Sequence, residues 1–501
     1  MDTFASLDTH SSTFSQSISS AFEPYLSLWI ESQDRQLSSL MLTYRAQPVH
    51  PPEEEFTAQT VLPSSTDLFQ NYRMGLQQCA KLSTGAQLLA LSKTFAKYLD
   101  QYGQQILFPI LSASQRSNGP SVHDAIAVLN TADYCYTTCN QLEEKIKSRI
   151  DEELRNQVDL QSQADAFMGI ASAAIRSLVS YAQSMAEPSW REFRATSWSR
   201  LESVGDQSSY VSDLLNRVKD AAKETLALLH KQQYARAFSD NLVEALAHTF
   251  LNNVVASRPI SEGGAEQLLL DSYVLKKGLL ELGVLNQKEK EKIEPPAGFV
   301  KRINQAFDRL APLLKTLSIR PQPPEALVQA YLVHIGDRSD ANFRKILELK
   351  GIKTAREQQN LVDLFNVHKS SPQNASLPLT TPLLTGLQLV DAKALATGGS
   401  GGGIGLPGGL SGISTPLIGG KAFDPGAFGS AIVAAARDGV DRFASPSPAQ
   451  GVATAGSRVV SGAQDGARDG AGLNENLKNI GKFFRRDVGA FRSFGRGSTD
   501  G

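Results

Sequence analysis

Apolar residues return every three or four positions along most of this chain, the spacing that gathers them on one face of a helix. Ile18, Phe22, Tyr25, Leu26, Trp29, Ile30, Leu37, Leu40, Met41 and Tyr44 form the first such stripe, and QPVHPPEEE then breaks it as a linker. Ser64 to Asp67 offer capping side chains after Pro63, ahead of Leu68, Phe69, Tyr72, Leu76 and Cys79. A turn at LSTG leads into Leu88, Leu91, Phe95, Tyr98, Leu99, Tyr102 and Ile106. The stripe from Val122 to Ile150 runs for about eight turns, a length that belongs to a bundle. Further stripes cover 167–185, 210–229, 238–254, 300–317 and 327–365. Alternating strand patterns are absent. The expected fold is all-α, with tandem antiparallel helical bundles in a rod-like arrangement followed by a disordered Gly/Ser-rich tail.

The predicted organisation is an N-terminal helix and linker over 1–60, a first bundle over 61–200, a second over 201–370, a low-complexity spacer over 371–473 and a basic amphipathic segment over 474–496. The boundary between the bundles is placed at EPSWREFRATSWSRLES, residues 187–203, where Pro188 interrupts the stripes. From about Ser370 the composition shifts to Gly, Ser, Pro, Thr and Ala. So few aromatics cannot bury enough apolar surface to offset chain entropy, which predicts disorder to about Gly472.

Composition narrows the classes. A hydrophobic content of 41% supports sizeable cores, and 50 basic against 51 acidic residues argue against wholesale nucleic-acid binding. Three cysteines, Cys79, Cys135 and Cys139, make no disulfide framework and fit a reducing compartment. The first twenty residues lack the basic start and apolar core of a signal peptide. Nowhere is there an apolar run of about 18 residues, so the chain is expected to be cytosolic or peripheral.

Several catalytic patterns occur literally and fail in context. Gly403, Gly405 and Gly408 spell G-x-G-x-x-G, but no strand leads in and Pro407 interrupts. Gly398, Ser400 and Gly402 spell G-x-S-x-G without the strand-to-helix turn that makes such a serine nucleophilic. The run at Gly419 to Ala422 lacks the first glycine and the magnesium-binding hydroxyl of a P-loop. Cys135 and Cys139 share a helix face with His123 as a distant third, short of the four ligands of a structural zinc site, so they are read as buried small hydrophobes. Glu143 and Glu144 with Lys145 and Lys147 read as a solvated face. No cofactor, metal or enzymatic activity is expected.

Polar positions remain. Asp206, Gln207, Ser208 and Ser209 precede Tyr210 at a helix start, where they serve either as caps or as partner contacts. PISEGGAEQLLLDSYVLKKGLL, Pro259 to Leu280, opens with a turn, and Gly263 and Gly264 make that turn or belong to a contact surface. Its helix carries Leu268, Leu269, Tyr273, Leu275, Leu279 and Leu280 as apolar residues. The polar half holds Ser261, Glu262, Glu266, Gln267 and Asp271, with no nucleophile–base arrangement.

That run closely resembles the C-terminal half of the Vps fifty-three family of vacuolar-protein-sorting subunits. Collinear matches are AFEPYLSLWIESQDRQL at Ala21 to Leu37, VLPSSTDLF at Val61 to Phe69, LSTG at Leu82 to Gly85, TADYCYTTCNQLEEKI at Thr131 to Ile146, VGDQSSYV at Val204 to Val211 and FRKILELKGIK at Phe343 to Lys353. The resemblance spans roughly Ala21 to Phe365. It implies a subunit of the GARP tether, or the related EARP complex, catching endosome-derived vesicles at the trans-Golgi network with the other GARP subunits, SNAREs and small Rab/Arf-like GTPases. The family's N-terminal coiled-coil part is missing ahead of Ala21, so a fragment, a truncated gene model or a divergent form is expected. The resemblance also directs attention to Asp206, Gln207, Tyr210, Ser261, Glu262, Gly264, Glu266, Gln267 and Asp271 as a tethering surface.

At the C-terminus, NENLKNIGKFFRRDVGAFRSFGRG places Leu477, Ile480, Phe483, Phe484, Val488, Phe491 and Phe494 within an arc of about 140° on a helical wheel. Lys478, Lys482, Arg485, Arg486, Arg492 and Arg496 fill another arc. Lys482, Phe483, Phe484, Arg485, Arg486 and Phe491 are therefore candidates for an anionic membrane surface or a partner's groove, the basis of an alternative reading as a lipid-binding adaptor. Gly481, Gly489 and Gly495 weaken the helix, which leaves a disordered tail as the third reading.

Overall fold

The computed structural model describes residues 25–49, 56–113, 121–285 and 294–389. All regular structure among them is helical, with no strand. The amphipathic segment and most of the Gly-rich spacer lie outside the described residues.

Helix α1 (Leu26–Ala46) buries Leu26, Ile30, Leu37, Met41 and Tyr44. It lies along α3 (Ala86–Tyr102), whose Tyr98 hydroxyl donates to the Asp34 carbonyl at 2.7 Å while Lys97 pairs with the Asp34 carboxylate at 2.6 Å. Helix α2 (Pro63–Cys79) starts on Pro63, whose missing N–H costs nothing in a first turn. The expected caps at Ser64–Asp67 are not caps. Pro63 sets the helix start one residue earlier, Ser64 faces the Tyr102 hydroxyl at 2.8 Å, Ser65 donates to the Leu62 carbonyl, and Asp67 accepts from Tyr44. After α3 the chain widens into a π-helical stretch, Gly103–Leu107, before α4 (Phe108–Ala113). A Cβ on Gly103 would stand 3.1 Å from Ile170.

Helices α5 (Val122–Lys147) and α6 (Gln161–Ala195) pack along one another as an antiparallel pair. Ser121 caps α5 by accepting from the Asp124 N–H at 3.0 Å, and Glu143 of α5 accepts from the Leu160 N–H at 2.9 Å, closing the connection. Cys135 and Cys139 are fully buried inside this pair. Pro188 does not end α6. The helix runs on to Ala195 and buries Ala186, Ser189, Trp190 and Phe193 on the same face, so the interruption read at 187 is an interior proline and the chain leaves the helix only at Thr196.

Helices α7 (Ser209–Leu228) and α8 (Gln232–Ala256) lie against α6, followed by α9 (Glu262–Leu279), α10 (Ala297–Asp308) and α11 (Ala311–Leu317). Then come α12 (Pro324–His334), α13 (Asp340–Leu349), α14 (Ala355–Lys369) and the short α15 (Pro382–Thr385). One contiguous apolar core connects Leu37 to Leu387. Order therefore continues past 371, where a spacer was expected. Leu384 and Leu387 are buried and hold residues 372–389 against the last helices.

Candidate functional site

Three of the motif runs meet at the N-terminus of α9. Ser261 caps the helix by accepting from the Gly264 N–H at 3.0 Å, while its own hydroxyl lies 2.9 and 2.8 Å from the Trp198 and Leu201 carbonyls. The two glycines let that loop approach. A Cβ on Gly264 would stand 2.2 Å from the Trp198 carbonyl oxygen, and one on Gly263 2.5 Å from that of Leu201. They are helical residues whose role is close backbone contact, not the turn itself.

One helical turn later Gln267 and Asp271 fasten the VGDQSSYV loop. Gln267 accepts from the Gly205 N–H at 3.1 Å and donates to the Asp206 carbonyl at 2.8 Å. Asp271 accepts from the Ser208 N–H at 2.9 Å and from Gln267 at 3.2 Å. The third run joins from the other side: the Ile260 N–H donates to the Leu349 carbonyl at 3.0 Å, and Lys350 donates to Glu262 at 3.1 Å and to the Leu317 carbonyl at 2.8 Å. Gly351, at φ +79°, turns the chain where a Cβ would meet Pro259 at 2.5 Å.

The candidates therefore separate into two groups. Tyr210, Gly264, Gln267 and Asp271 are buried, and Ser261 is half-buried in the cap. Asp271 has no exposed surface, so its assignment to a solvent-facing charge set is corrected. The signal for this lay in the spacing: Asp271 follows Leu268 by three and precedes Leu275 by four, which puts it on the apolar face. Asp206, Gln207 and Glu266 remain exposed, and Glu262 is half-buried against Lys350. Ser208 and Asp206 do not cap α7 with their side chains. Beyond the joint, the outward stripe of α9 consists of Glu266, Leu270, Tyr273 and Lys277, with Tyr273 exposed instead of in the core.

Electrostatics follow from burial. Desolvation raises the Asp271 carboxyl above its ordinary value against the donors of Ser208, Tyr210 and Gln267, and burial with the facing Asp271 pushes the Tyr210 phenol well up. Desolvation lowers Lys350, opposed by Glu262. Partial burial and then Glu262 raise Glu266, with Arg320 pulling the other way.

Chemistry at the other candidate positions is quiet. Burial pushes Cys139 up to about 12 and Cys79 up to about 11, so both thiols stay protonated and weakly nucleophilic. Among the described residues no three His, Cys, Asp or Glu side chains gather as a metal site. A cleft of about 380 Å³ opens between α5 and the α7–α8 turn, but the Asp133 on its wall is held by Lys231 and by the Tyr234 hydroxyl at 2.5 Å.

Residues 266–352, which include α9 and the Lys350 side of the joint, match the family described as Vacuolar protein sorting-associated protein 53 C-terminus. Vacuolar protein sorting-associated protein 53 A of Arabidopsis thaliana is 31% identical over 364 residues, 70% of this chain and 43% of that protein. The chain belongs to the Vps53 family. The Caenorhabditis elegans homolog is 26% identical over 68% of the chain and 45% of its own length. The Saccharomyces cerevisiae protein is 27% identical over 67% and 46%. The chain thus spans a little under half the length of these family members. The crystal structure of the C-terminal domain of the exocyst subunit Sec6p shares the helical fold, with a TM-score of 0.50 and 15% identity over 70% of this chain and 90% of that domain. The Vps53-family motifs meeting at α9 are the parts that fasten the helices together. Lys350, Trp198 and Leu201 belong to that joint and were not singled out in the sequence. Lys350 lay within a matched motif, whereas Trp198 and Leu201 act through backbone carbonyls and leave no side-chain signal.

Proposed function

We propose that this chain is the C-terminal helical part of a GARP vesicle-tethering subunit in retrograde transport from endosomes to the trans-Golgi network, a non-catalytic scaffold and interaction surface on their cytosolic face. The observation that carries the reading is the Vps53-family match across the α9 joint on a fold shared with an exocyst subunit domain. No helix among the described residues is long and apolar enough to cross a membrane, which is consistent with peripheral attachment through partners. The joint fixes α9 in place, and its outward stripe of Glu266, Tyr273 and Lys277, with Asp206 and Gln207 beside it in sequence, is the surface proposed for the other GARP subunits, SNAREs or small GTPases.

Affinity purification of the tagged chain from cells is the test. Recovery of the three partner subunits, lost on Glu266→Arg with Tyr273→Ala while the circular dichroism spectrum stays unchanged, is the expected result. Binding to anionic liposomes without partner subunits would replace this reading with the membrane adaptor built on residues 474–496.

A further inference from the structure

We propose that Thr381 is a phosphorylation site for a proline-directed serine/threonine kinase, and that its phosphorylation releases the segment 376–389 from the α12–α13 corner. Asp337, in the turn between α12 and α13, has no exposed surface. One of its carboxylate oxygens accepts from the Tyr331 hydroxyl at 2.5 Å and the Ser339 N–H at 3.0 Å. The other accepts from Asn342 at 2.8 Å and takes two bonds from the strap, the Thr381 N–H at 2.9 Å and the Thr381 hydroxyl at 3.0 Å. Around this anchor the Arg338 N–H donates to the Pro378 carbonyl at 2.9 Å, and Lys345 donates to the carbonyls of Leu384 at 2.5 Å and Thr385 at 3.2 Å. Only Leu384 and Leu387 of the strap are buried, while Pro378, Leu379, Thr380 and Pro382 are exposed. A segment held by a few hydrogen bonds and two leucines opens more readily than the helices beneath it.

Thr381 is followed directly by Pro382, the dipeptide a proline-directed kinase reads, with exposed residues on both sides. In the closed strap the hydroxyl is turned toward Asp337, so the kinase acts on the open state. The Thr381 oxygen bonds to the γ-phosphorus of ATP as the bond from that phosphorus to the β–γ bridging oxygen breaks. ADP leaves, and the hydroxyl proton passes to the kinase's base. The product has lost its donor and carries a charge of about −1.5 to −2, which on closing would meet a buried carboxylate at hydrogen-bond distance. Like charges there disfavour the closed state, so phosphorylation retains the strap in the open one.

The full chain is incubated with a purified proline-directed kinase and magnesium ATP, sites are localised by mass spectrometry, and amide exchange is followed before and after. Phosphate on Thr381, with exchange across 381–389 faster by about tenfold or more and protection restored by a phosphatase, is expected. Thr381→Val, which keeps the N–H and the shape, should keep its protection through the same treatment. The other Ser/Thr-Pro dipeptides, at Ser371, Thr415, Ser445 and Ser447, report that the kinase is active. Labelling of those sites without Thr381 overturns the assignment, as does a failure to label a free peptide of residues 376–389. Phosphate on Thr381 with unchanged exchange, or lost protection in Thr381→Val, overturns the release.

Discussion

The same substitution, glycine to alanine, should have opposite signs at two helical positions. Gly264 is in the first turn of α9 and Gly169 in the interior of α6. Alanine is favoured over glycine within a helix by about 0.8–1 kcal/mol. At Gly169 a new Cβ meets nothing within 4 Å outside its own helix, so the full gain is available and Gly169→Ala should stabilise by about 0.5–1 kcal/mol. At Gly264 the Cβ would stand 2.2 Å from the Trp198 carbonyl oxygen, more than 1 Å short of the ordinary 3.4–4 Å contact. Neither group is the end of a flexible side chain, so the α9 N-terminus or the 198–201 loop must move. Overpacking of this kind costs about 1–3 kcal/mol. Movement also strains the Ser261 cap, which is worth about 1 kcal/mol. Against the propensity gain, Gly264→Ala should lose about 1–3 kcal/mol. Urea unfolding followed by circular dichroism at 222 nm reads both variants. A Gly264→Ala midpoint equal to or above wild type would refute the close-contact account, and a comparable loss in Gly169→Ala would show that the site plays no part.

At Asp271, charge reversal to Lys should unfold or severely destabilise the chain, because an unpaired buried cation costs several kcal/mol, whereas Glu266→Lys should change stability by about 0.5 kcal/mol or less; urea midpoints decide both. The raised Asp271 carboxyl sets a pH dependence. Its folded value lies above the unfolded one, so the cost of burying the anion is present at neutral pH and is relieved as pH falls through the folded value toward its ordinary 3.8. Wild type should therefore gain on Asp271→Asn between pH 7 and pH 4, and a constant difference in midpoint would exclude the linkage. Leu142→Ala should cost about 2–5 kcal/mol by thermal or urea unfolding, and chelators should leave helicity unchanged. All three thiols should resist a disulfide titrant at pH 8 until denaturant is added, since burial keeps them protonated; rapid reaction of Cys135 or Cys139 in the folded chain would contradict their placement.

The stripes of α1 to α14 were legible because helix periodicity is a local property, set by residues three and four apart. Pro188 misled for the same reason: a proline removes one N–H, but Trp190 and Phe193 continue the buried face and tertiary packing carries the helix past it. The meaning of Gly263 and Gly264 depends on carbonyls some sixty positions earlier, which no local pattern encodes. Asp271 was misplaced because its charge outweighed its phase between Leu268 and Leu275, and the Ser208 N–H that satisfies it is again distant in sequence. Residues 371–389 were absorbed into a Gly-rich average, although Leu384 and Leu387 and the single anchor at Asp337 suffice to order them.

Helix α6 has a mechanical consequence. Its 35 residues extend about 52 Å at about 1.5 Å per residue. They pack on α5 through the first part of their length and present Trp190 and Phe193 to Tyr210 and Phe250 near the end. A pull applied at either end of the described chain is therefore carried along a hydrogen-bonded strut instead of being absorbed in a slack connector, because the first and last helices share that one member. Extension under load should appear as a single force-bearing rip in an optical trap, with the two parts yielding together.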